Sequence, residues 1–501
     1  MSQRPNILFV MTDQQRFDTI RALGNEHIYT PNMDRLVRRG LSFTQAYSPC
    51  PVCVAARYTI RTGCTPLSTR VFSNGQIPPA PEQADTMTGR CGPYLAQTMQ
   101  DRGYRTFGIG KFHTTPRDED LGYEVHLHSE ELYGNAEGRE KDAYASYIKT
   151  EHPHFDFIEG LMGERTEMYY MPQMSGVPAE LGVEAWAADR AVEQVGAAGE
   201  RPFFGFVSFI GPHPPLAPPI PFNRMYDPDR MPNPVRGQLA TDHMDEQIPW
   251  MNHAIWAEDI TDAHARVLKA RYYGELTYID QCLGRILDAV EARPDSDNTL
   301  ICFFADHGDH MGDHTAWQKE SFFDVSCRVP FLVSWPARLA KDQRREELVG
   351  LHDLFALATG AAGSVEAREG IDVLGTVVGS VAPREHLIGL YGAPGTSQFK
   401  VMVRGQRWKY IFFANGGGEQ LFDSQTDPHE VDNKAADQPD MVRALRQVAI
   451  AALDNAAGDD ALERGDLRAF PFAARDAMRI YQFDRSRGIV GFPERPEDVL
   501  Q

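Results

Sequence analysis

The sequence is poor in the features that mark secreted, membrane-bound or nucleic-acid-binding chains. Cysteine is sparse and odd in number, seven in 501 residues, which argues against a disulfide framework and for reduced thiols. No long apolar run opens the chain: MSQRPNILFVMTDQQ offers only the five residues Ile7 to Met11, too few for a signal-peptide core or a membrane-spanning helix. The expected location is therefore the cytoplasm, with no membrane partner and a mature chain starting near Met1. Positive charge is also in deficit. Fifty basic residues against 70 acidic ones leave a formal charge of −20, which argues against nucleic acid or an anionic membrane as the main partner. Any anionic substrate must then find a locally basic pocket. No internal repeat with a period of about 20 to 50 residues is visible.

What remains is globular material, with 42% hydrophobic and 24% charged residues, enough for a large core. The run Ile7 to Met11 ends at Thr12 and Asp13, the pattern of a buried parallel strand that delivers polar residues at its carboxyl end. Runs of the same kind are Thr106 to Ile109, Phe203 to Phe209, Leu300 to Ala305 and Phe331 to Ser334. Helical stretches such as Met33 to Arg39, Tyr94 to Arg102 and His264 to Glu291 separate them. The expected fold class is α/β, a mostly parallel central sheet flanked by helices.

From about Glu385 the texture changes to shorter strand-like segments, His386 to Leu390, Gln398 to Arg404 and Trp408 to Phe413, then a helix near Pro439 to Ala456. This divides the chain into a catalytic α/β unit over residues 1–384, a smaller C-terminal α+β subdomain over 385–470 and a tail over 471–501. Tyr481, Phe483, Ile489 and Phe492 make the tail apolar enough to dock on its own domain or on a neighbour, so a homo-oligomer is expected. The Pro-rich stretches Pro212 to Pro221 and Asp227 to Pro234 read as loops over the sheet that shape a site.

Four polar clusters follow strand-like runs: Thr12-Asp13-Gln14-Gln15, Gly110-Lys111-Phe112-His113, Gly211-Pro212-His213 and Asp306-His307-Gly308-Asp309-His310. One Asp or His after a strand is commonly a helix cap. Several acids, several histidines and a lysine arriving at the carboxyl ends of one sheet point to chemistry. Asp13, Asp306 and His307 supply oxygen and nitrogen donors suited to a divalent ion. Cys64, Cys91, Cys282, Cys302 and Cys327 read as core or surface thiols, whereas Cys50 and Cys53 share the segment SPCPVCVAARYTIRTG.

These residues resemble the sulfatase family of the alkaline phosphatase superfamily. RPNILFVMTDQQ is similar to the family's first strand and metal site, and SPCPVCVAARYTIRTG to its nucleophile segment, in which a cysteine followed by x-Pro-x-Arg opens a helix. Gly103 to His113 matches a second signature, and GPHPP, ADHGDHMGDH, Lys319 and EQLFDSQTDPHEVDN follow in the family's order. The resemblance implies an alkaline-phosphatase-like fold and hydrolysis of sulfate monoesters. It implies that a formylglycine-generating enzyme oxidises Cys53 to formylglycine, whose hydrate attacks sulfur, and that one divalent ion, Ca2+ or Mn2+, is held by Asp13, Asp306 and His307, with Gln14 a ligand or a neighbour. Arg57 would hold the nucleophile, one helical turn from Cys53. Lys111 and Lys319 would bind ester oxygens, His113 would deprotonate the second hydroxyl, and His213 would assist the leaving oxygen.

The chain departs from the family pattern at three positions. Ala55 stands where the nucleophile motif has proline, Gln14 where many sulfatases have a second aspartate, and His307 where many have asparagine. Cys50 cannot replace Cys53, because Val54 would then occupy the arginine position. Fewer carboxylates and an imidazole shift preference from calcium toward manganese, iron or zinc. The Asp/Gln and Asp/His pairs are similar to those of phosphonate monoester hydrolases and some cytoplasmic arylsulfatases. Alternatives are therefore a phosphonate monoester hydrolase or phosphodiesterase using the same groups, and a catalytically silent binder of sulfated ligands. A mutase or phosphatase with a Ser or Thr nucleophile fits less well, because the helix opens on Cys53. Tyr133, Tyr169 and Tyr170 are candidates for the wall around the alcohol half of a small anionic ester.

Overall fold

The structure is a computed structural model and describes residues 4–75, 86–116, 118–131, 136–156, 169–197, 199, 201–237, 245–454 and 458–476. Tyr133 and the tail residues Tyr481, Phe483, Ile489 and Phe492 lie outside the described residues. Eight strands build one sheet: β1 (Asn6–Thr12), β2 (Leu41–Tyr47), β3 (Arg105–Gly110), β4 (Val125–His128), β5 (Phe203–Ser208), β6 (Thr299–Ala305), β7 (Phe331–Ser334) and β8 (Gln343–Gly350), in the order β4-β3-β5-β1-β6-β7-β2-β8. The strands from β4 to β6 are parallel.

Continuous apolar runs form the centre because both faces of the sheet are covered. Ile7, Phe9 and Met11 point into one core with Phe204, Phe206, Leu300 and Phe304. Leu8 and Val10 point into the other with Phe107, Ile109, Val207, Ile301 and Phe303, the two-residue period of a strand. The 30-residue helix Asp262–Glu291, capped by the Thr261 hydroxyl, and the helix Val183–Gly196 cover this second face. The first face carries the helices Cys53–Thr62, Leu95–Asp101 and Asp353–Ala361.

Phe331 to Ser334 forms a strand, but β7 runs antiparallel to both neighbours, β6 and β2, whereas its composition suggests another parallel member. The connection between β6 and β7, residues 306–330, is spent on the site loop and holds only helical turns of three and four residues, with no helix to carry the chain back across the sheet face as a parallel return does. The chain therefore re-enters the sheet from the edge it left. Apolar composition reports burial, not direction.

Four antiparallel strands, β9 (Leu387–Tyr391), β10 (Lys400–Arg404), β11 (Trp408–Phe413) and β12 (Gly418–Asp423), form a second sheet. One face packs Val401, Val403, Tyr410 and Leu421 against Val442, Leu445, Ala449 and Leu453 of the helix Pro439–Leu453. The other face sends Met402, Ile411, Phe413 and Phe422 into the main core. Three polar contacts tie this sheet to the site loops: the Leu390 amide donates to the Pro49 carbonyl at 2.8 Å, Lys400 Nζ to the Glu320 carbonyl at 2.6 Å, and Lys409 Nζ to the Phe322 carbonyl at 2.9 Å. Among the described residues no helix is long and apolar enough to cross a membrane.

Candidate active site

The register brings the polar clusters to one level. Thr12 pairs with Ala305, Met11 with Ser208 and Gly110 with Ser208, so the residues that follow β1, β3, β5 and β6 enter one space at the carboxyl edge. Gly110 turns Lys111 inward with φ of 97°, and a Cβ there would lie 1.9 Å from the Ser208 carbonyl oxygen. Only glycine tolerates that approach. Gln14 and His113, and Gln318 and Glu320 on either side of Lys319, adopt left-handed backbone conformations without being glycine. Such costs concentrate at functional sites, where the surroundings enforce them.

Cys53 is the first residue of its helix, after an extended Val52, so its sulfur faces the positive end of the helix dipole. The sulfur is sealed from solvent. It lies 3.1 Å from Lys319 Nζ, 3.2 Å from His307 Nε2 and 3.8 Å from Asp13 Oδ1. Burial pushes this thiol up, but Lys319, Lys111 and His307 together outweigh it and hold the thiol well below its ordinary range.

Arg57, one turn along the same helix, is 2% exposed. Its Nη2 lies 2.7 Å from Asp13 Oδ2 and its Nε 2.9 Å from Asp306 Oδ2, while Nη1 donates to Ser208 Oγ. Lys111 Nζ is 2.6 Å from Asp13 Oδ2. Asp13 and Asp306 are both fully buried. Burial and Cys53 push Asp13 up, but Lys111 and Arg57 hold it far below the usual carboxylate range. Asp306 is pushed up by burial and by Asp13. Arg57 spans both carboxylates, yet its single charge does not hold Asp306 down against burial and Asp13, so the pair has room for more positive charge.

Donor atoms from Asp13, Cys53, Asp306 and His307 all lie within 4.8 Å of one another. Two carboxylates and an imidazole that need a shared cation fit a divalent ion. Gln14 reaches the same place, with its Oε1 accepting from Lys319 Nζ at 2.7 Å and its Nε2 donating to Asp309 at 2.6 Å. Its amide thus stands between the sulfur's lysine and a buried acid.

His213 reaches the site from the loop after β5. It is 6% exposed, with Nδ1 2.6 Å from the Pro214 carbonyl and Nε2 3.5 Å from Glu131. Glu131 also contacts Lys111 Nζ. Burial pushes Glu131 up, yet His213, Lys111 and His113 hold it below its usual value. The sequence reading did not single out Glu131; it follows β4, a half-buried strand (VHLH) with no apolar run to announce it. Asp309 and Tyr170 also join the site, the tyrosine hydroxyl donating to Asp309 at 2.5 Å and packing on Trp317. Tyr170 therefore braces Gln14's partner, while the Tyr169 ring meets His213 edge to face at 5.5 Å.

A neighbouring cavity of about 580 Å³ is lined by Arg16, Phe17, Lys269, Tyr272 and Asp313, among others, and by none of the residues above.

Residues 5–364 match the family model described as Sulfatase. The chain belongs to the sulfatase family. Residues 312–452 also match the C-terminal model of N-sulphoglucosamine sulphohydrolase, which covers the second sheet of this sulfatase-family chain. It is 28% identical to an arylsulfatase from Clostridium perfringens over 90% of this chain and 95% of that one. It is 27% identical to a choline-sulfatase from Rhizobium meliloti over 93% and 90%. Among solved structures, the phosphonate monoester hydrolase of Agrobacterium radiobacter superposes with a TM-score of 0.74 at 25% identity, covering 89% of this chain and 95% of that one. The mostly parallel sheet with an antiparallel C-terminal sheet is therefore the sulfatase architecture.

Proposed function

We propose that this sulfatase-family enzyme hydrolyses sulfate monoesters, with secondary activity on phosphonate monoesters and phosphodiesters. The observation that carries the reading is the sealed Cys53 sulfur at a helix start, within 3.2 Å of both Lys319 and His307 and beside two buried carboxylates. The arylsulfatase, choline-sulfatase and phosphonate monoester hydrolase relatives support the same range of esters. The thiol sulfur stands where the oxygens of a hydrated formylglycine would lie, and that diol would supply the attacking hydroxyl. Asp13, Asp306 and His307, with Gln14 adjacent, would hold a calcium or manganese ion, which would acidify that hydroxyl and draw charge from an ester oxygen. The imidazole favours manganese.

The chain's own groups do the rest. Arg57 fixes the two carboxylates and faces the nucleophile. Lys111 and Lys319 present ammonium groups where negative charge accumulates, and in this dry site each is worth more than in water. His113, which follows Lys111 out of β3 and favours the ionised Cys53 side chain, takes the proton whose departure expels the inorganic product. His213, held by the Pro214 carbonyl, faces the leaving oxygen. The alternative of a silent binder is disfavoured because no lysine, ligand or histidine of the set is missing.

Seven free cysteines, all buried, support a reducing compartment, the cytoplasm. A homo-oligomer mediated by the tail over residues 471–501 completes the proposal; truncating it and repeating light scattering would sink that role if the oligomeric state were unchanged. The central test is mass spectrometry of the tryptic peptide Gly40 to Arg57 from protein co-expressed with the formylglycine-generating enzyme, followed by turnover of matched aryl sulfate and aryl phosphonate esters. The aldehyde together with a higher kcat/KM for the sulfate is the expected result. A thiol that persists under co-expression would mean that Ala55 blocks conversion and would overturn the diol mechanism.

A further inference from the structure

Resting on the ester-hydrolase reading above, we propose that Glu131, together with Tyr169, makes this site select esters whose alcohol half carries a positively charged ammonium group. An oxyanion pocket gains nothing from a carboxylate, yet Glu131 contacts Lys111 Nζ and lies 3.5 Å from His213 Nε2. Lys111 does not need it, because Asp13 already sits 2.6 Å from the same ammonium. Glu131 and an incoming ester oxygen therefore compete for one cation.

When the ester wins, Glu131 is left ionised in a site where its side chain is only 16% exposed. A neutral alcohol half would leave it facing a monoanion, and like charges at close range in a poorly solvated site oppose binding. A substrate carrying its own ammonium is a zwitterion that replaces Lys111 as Glu131's partner. The position is right for this. His213 marks the leaving side, and Glu131 and the Tyr169 ring both border it, the ring 5.5 Å from the imidazole. A carboxylate and an aromatic ring that both meet one imidazole supply the two kinds of group that hold quaternary ammonium ions.

The test compares choline O-sulfate with 3,3-dimethylbutyl sulfate, its neutral carbon isostere, using enzyme bearing formylglycine. The parent should prefer the cationic ester by at least 10-fold in kcat/KM, about 1.4 kcal/mol. Glu131→Gln should abolish that preference, with the change between the two esters read in KM. A parent that prefers the neutral ester, or a preference that survives Glu131→Gln, would overturn the proposal. So would an equal loss of kcat on both esters, which would make Glu131 a positioning residue for His213. Calorimetric binding of the same two sulfates gives the ratio whether or not either is hydrolysed, so absent turnover would sink the function reading and an absent ratio this one. If Glu131→Gln does not fold, tetramethylammonium must still inhibit the parent competitively on the neutral ester, and failure to do so refutes the selectivity.

Discussion

Replacing Arg57 with methionine tests whether its guanidinium is what keeps two buried carboxylates ionised side by side. Methionine fills much of the same volume, so the loss is mainly electrostatic. Asp13 would keep Lys111 at 2.6 Å. Asp306 would keep the His307 imidazole at 3.6 Å and the Gln14 and His307 amides, but no lysine or arginine among the described residues. Removing one partner of a buried ion pair costs about 3–5 kcal/mol. An unfolding entropy of about 2.1 cal/mol/K per residue gives a chain of this length about 1 kcal/mol/K, so the melting point should fall by about 3–5 °C. A divalent ion at Asp13 and Asp306 restores part of the missing charge, and the deficit should therefore shrink in saturating Mn2+ and persist in EDTA. Calorimetric melts of both proteins in both buffers measure it. A fall below about 1 °C in EDTA, or the same fall with and without the ion, would refute the account of Arg57 and of the metal site together.

Three further outcomes are expected. Lys319→Ala should lower kcat by about 10²–10³-fold, as loss of one oxyanion donor does, and a change confined to KM would contradict its place beside the reacting atoms. Gly110→Ala should lower activity together with the melting point, because the added methyl would meet the Ser208 carbonyl at 1.9 Å; a crystal structure showing Lys111 unmoved would reject this. Burial, opposed by Asp353 and aided by Arg384, pushes His352 down to about 4. A depressed folded value means stability that is present above the unfolded value of about 6.5 and lost as pH falls toward 4, about 2 kcal/mol between pH 7.5 and 5.0. Urea unfolding at the two pH values should show a difference between the parent and His352→Gln of that size, since His126, His314, Asp280 and Glu430 titrate in the same window in both proteins.

How much of this was legible in the sequence depended on where each residue sits. β1, β3, β5 and β6 announce themselves because strands buried on both faces must be apolar throughout. β8 does not: its first half, Gln343 to Glu347, is largely exposed at the sheet edge. β2 carries Ser, Thr and Gln at a half-buried stretch, and β4 is half-buried along its length. Missing β4 meant missing Glu131, which follows it. The ten site residues, from Asp13 to Lys319, were readable because each follows a recognisable strand or motif, and the structure gathers them at one edge. Asp309 was assigned no role, and Tyr170 was read as substrate wall and not as the partner of Asp309, since their link to Gln14 joins segments far apart in the chain. The polarity of β7 was hidden for a different reason, being set by the connection and not by the strand.

The clasp between the second sheet and the nucleophile loop orders events in time. Cys53 and Ala55 are sealed in the finished fold, and Arg57 is 2% exposed, so an enzyme that reads this stretch cannot reach it there. The loop ahead of it is fastened at Pro49 by the Leu390 amide, and Leu390 is synthesised long after Cys53. Until β9 emerges and docks, the stretch lacks one of its bolts, and maturation has an interval in which to occur. Oxidation must then precede closure. Adding the formylglycine-generating enzyme to folded, unconverted protein should yield no aldehyde, while adding it during refolding from urea should.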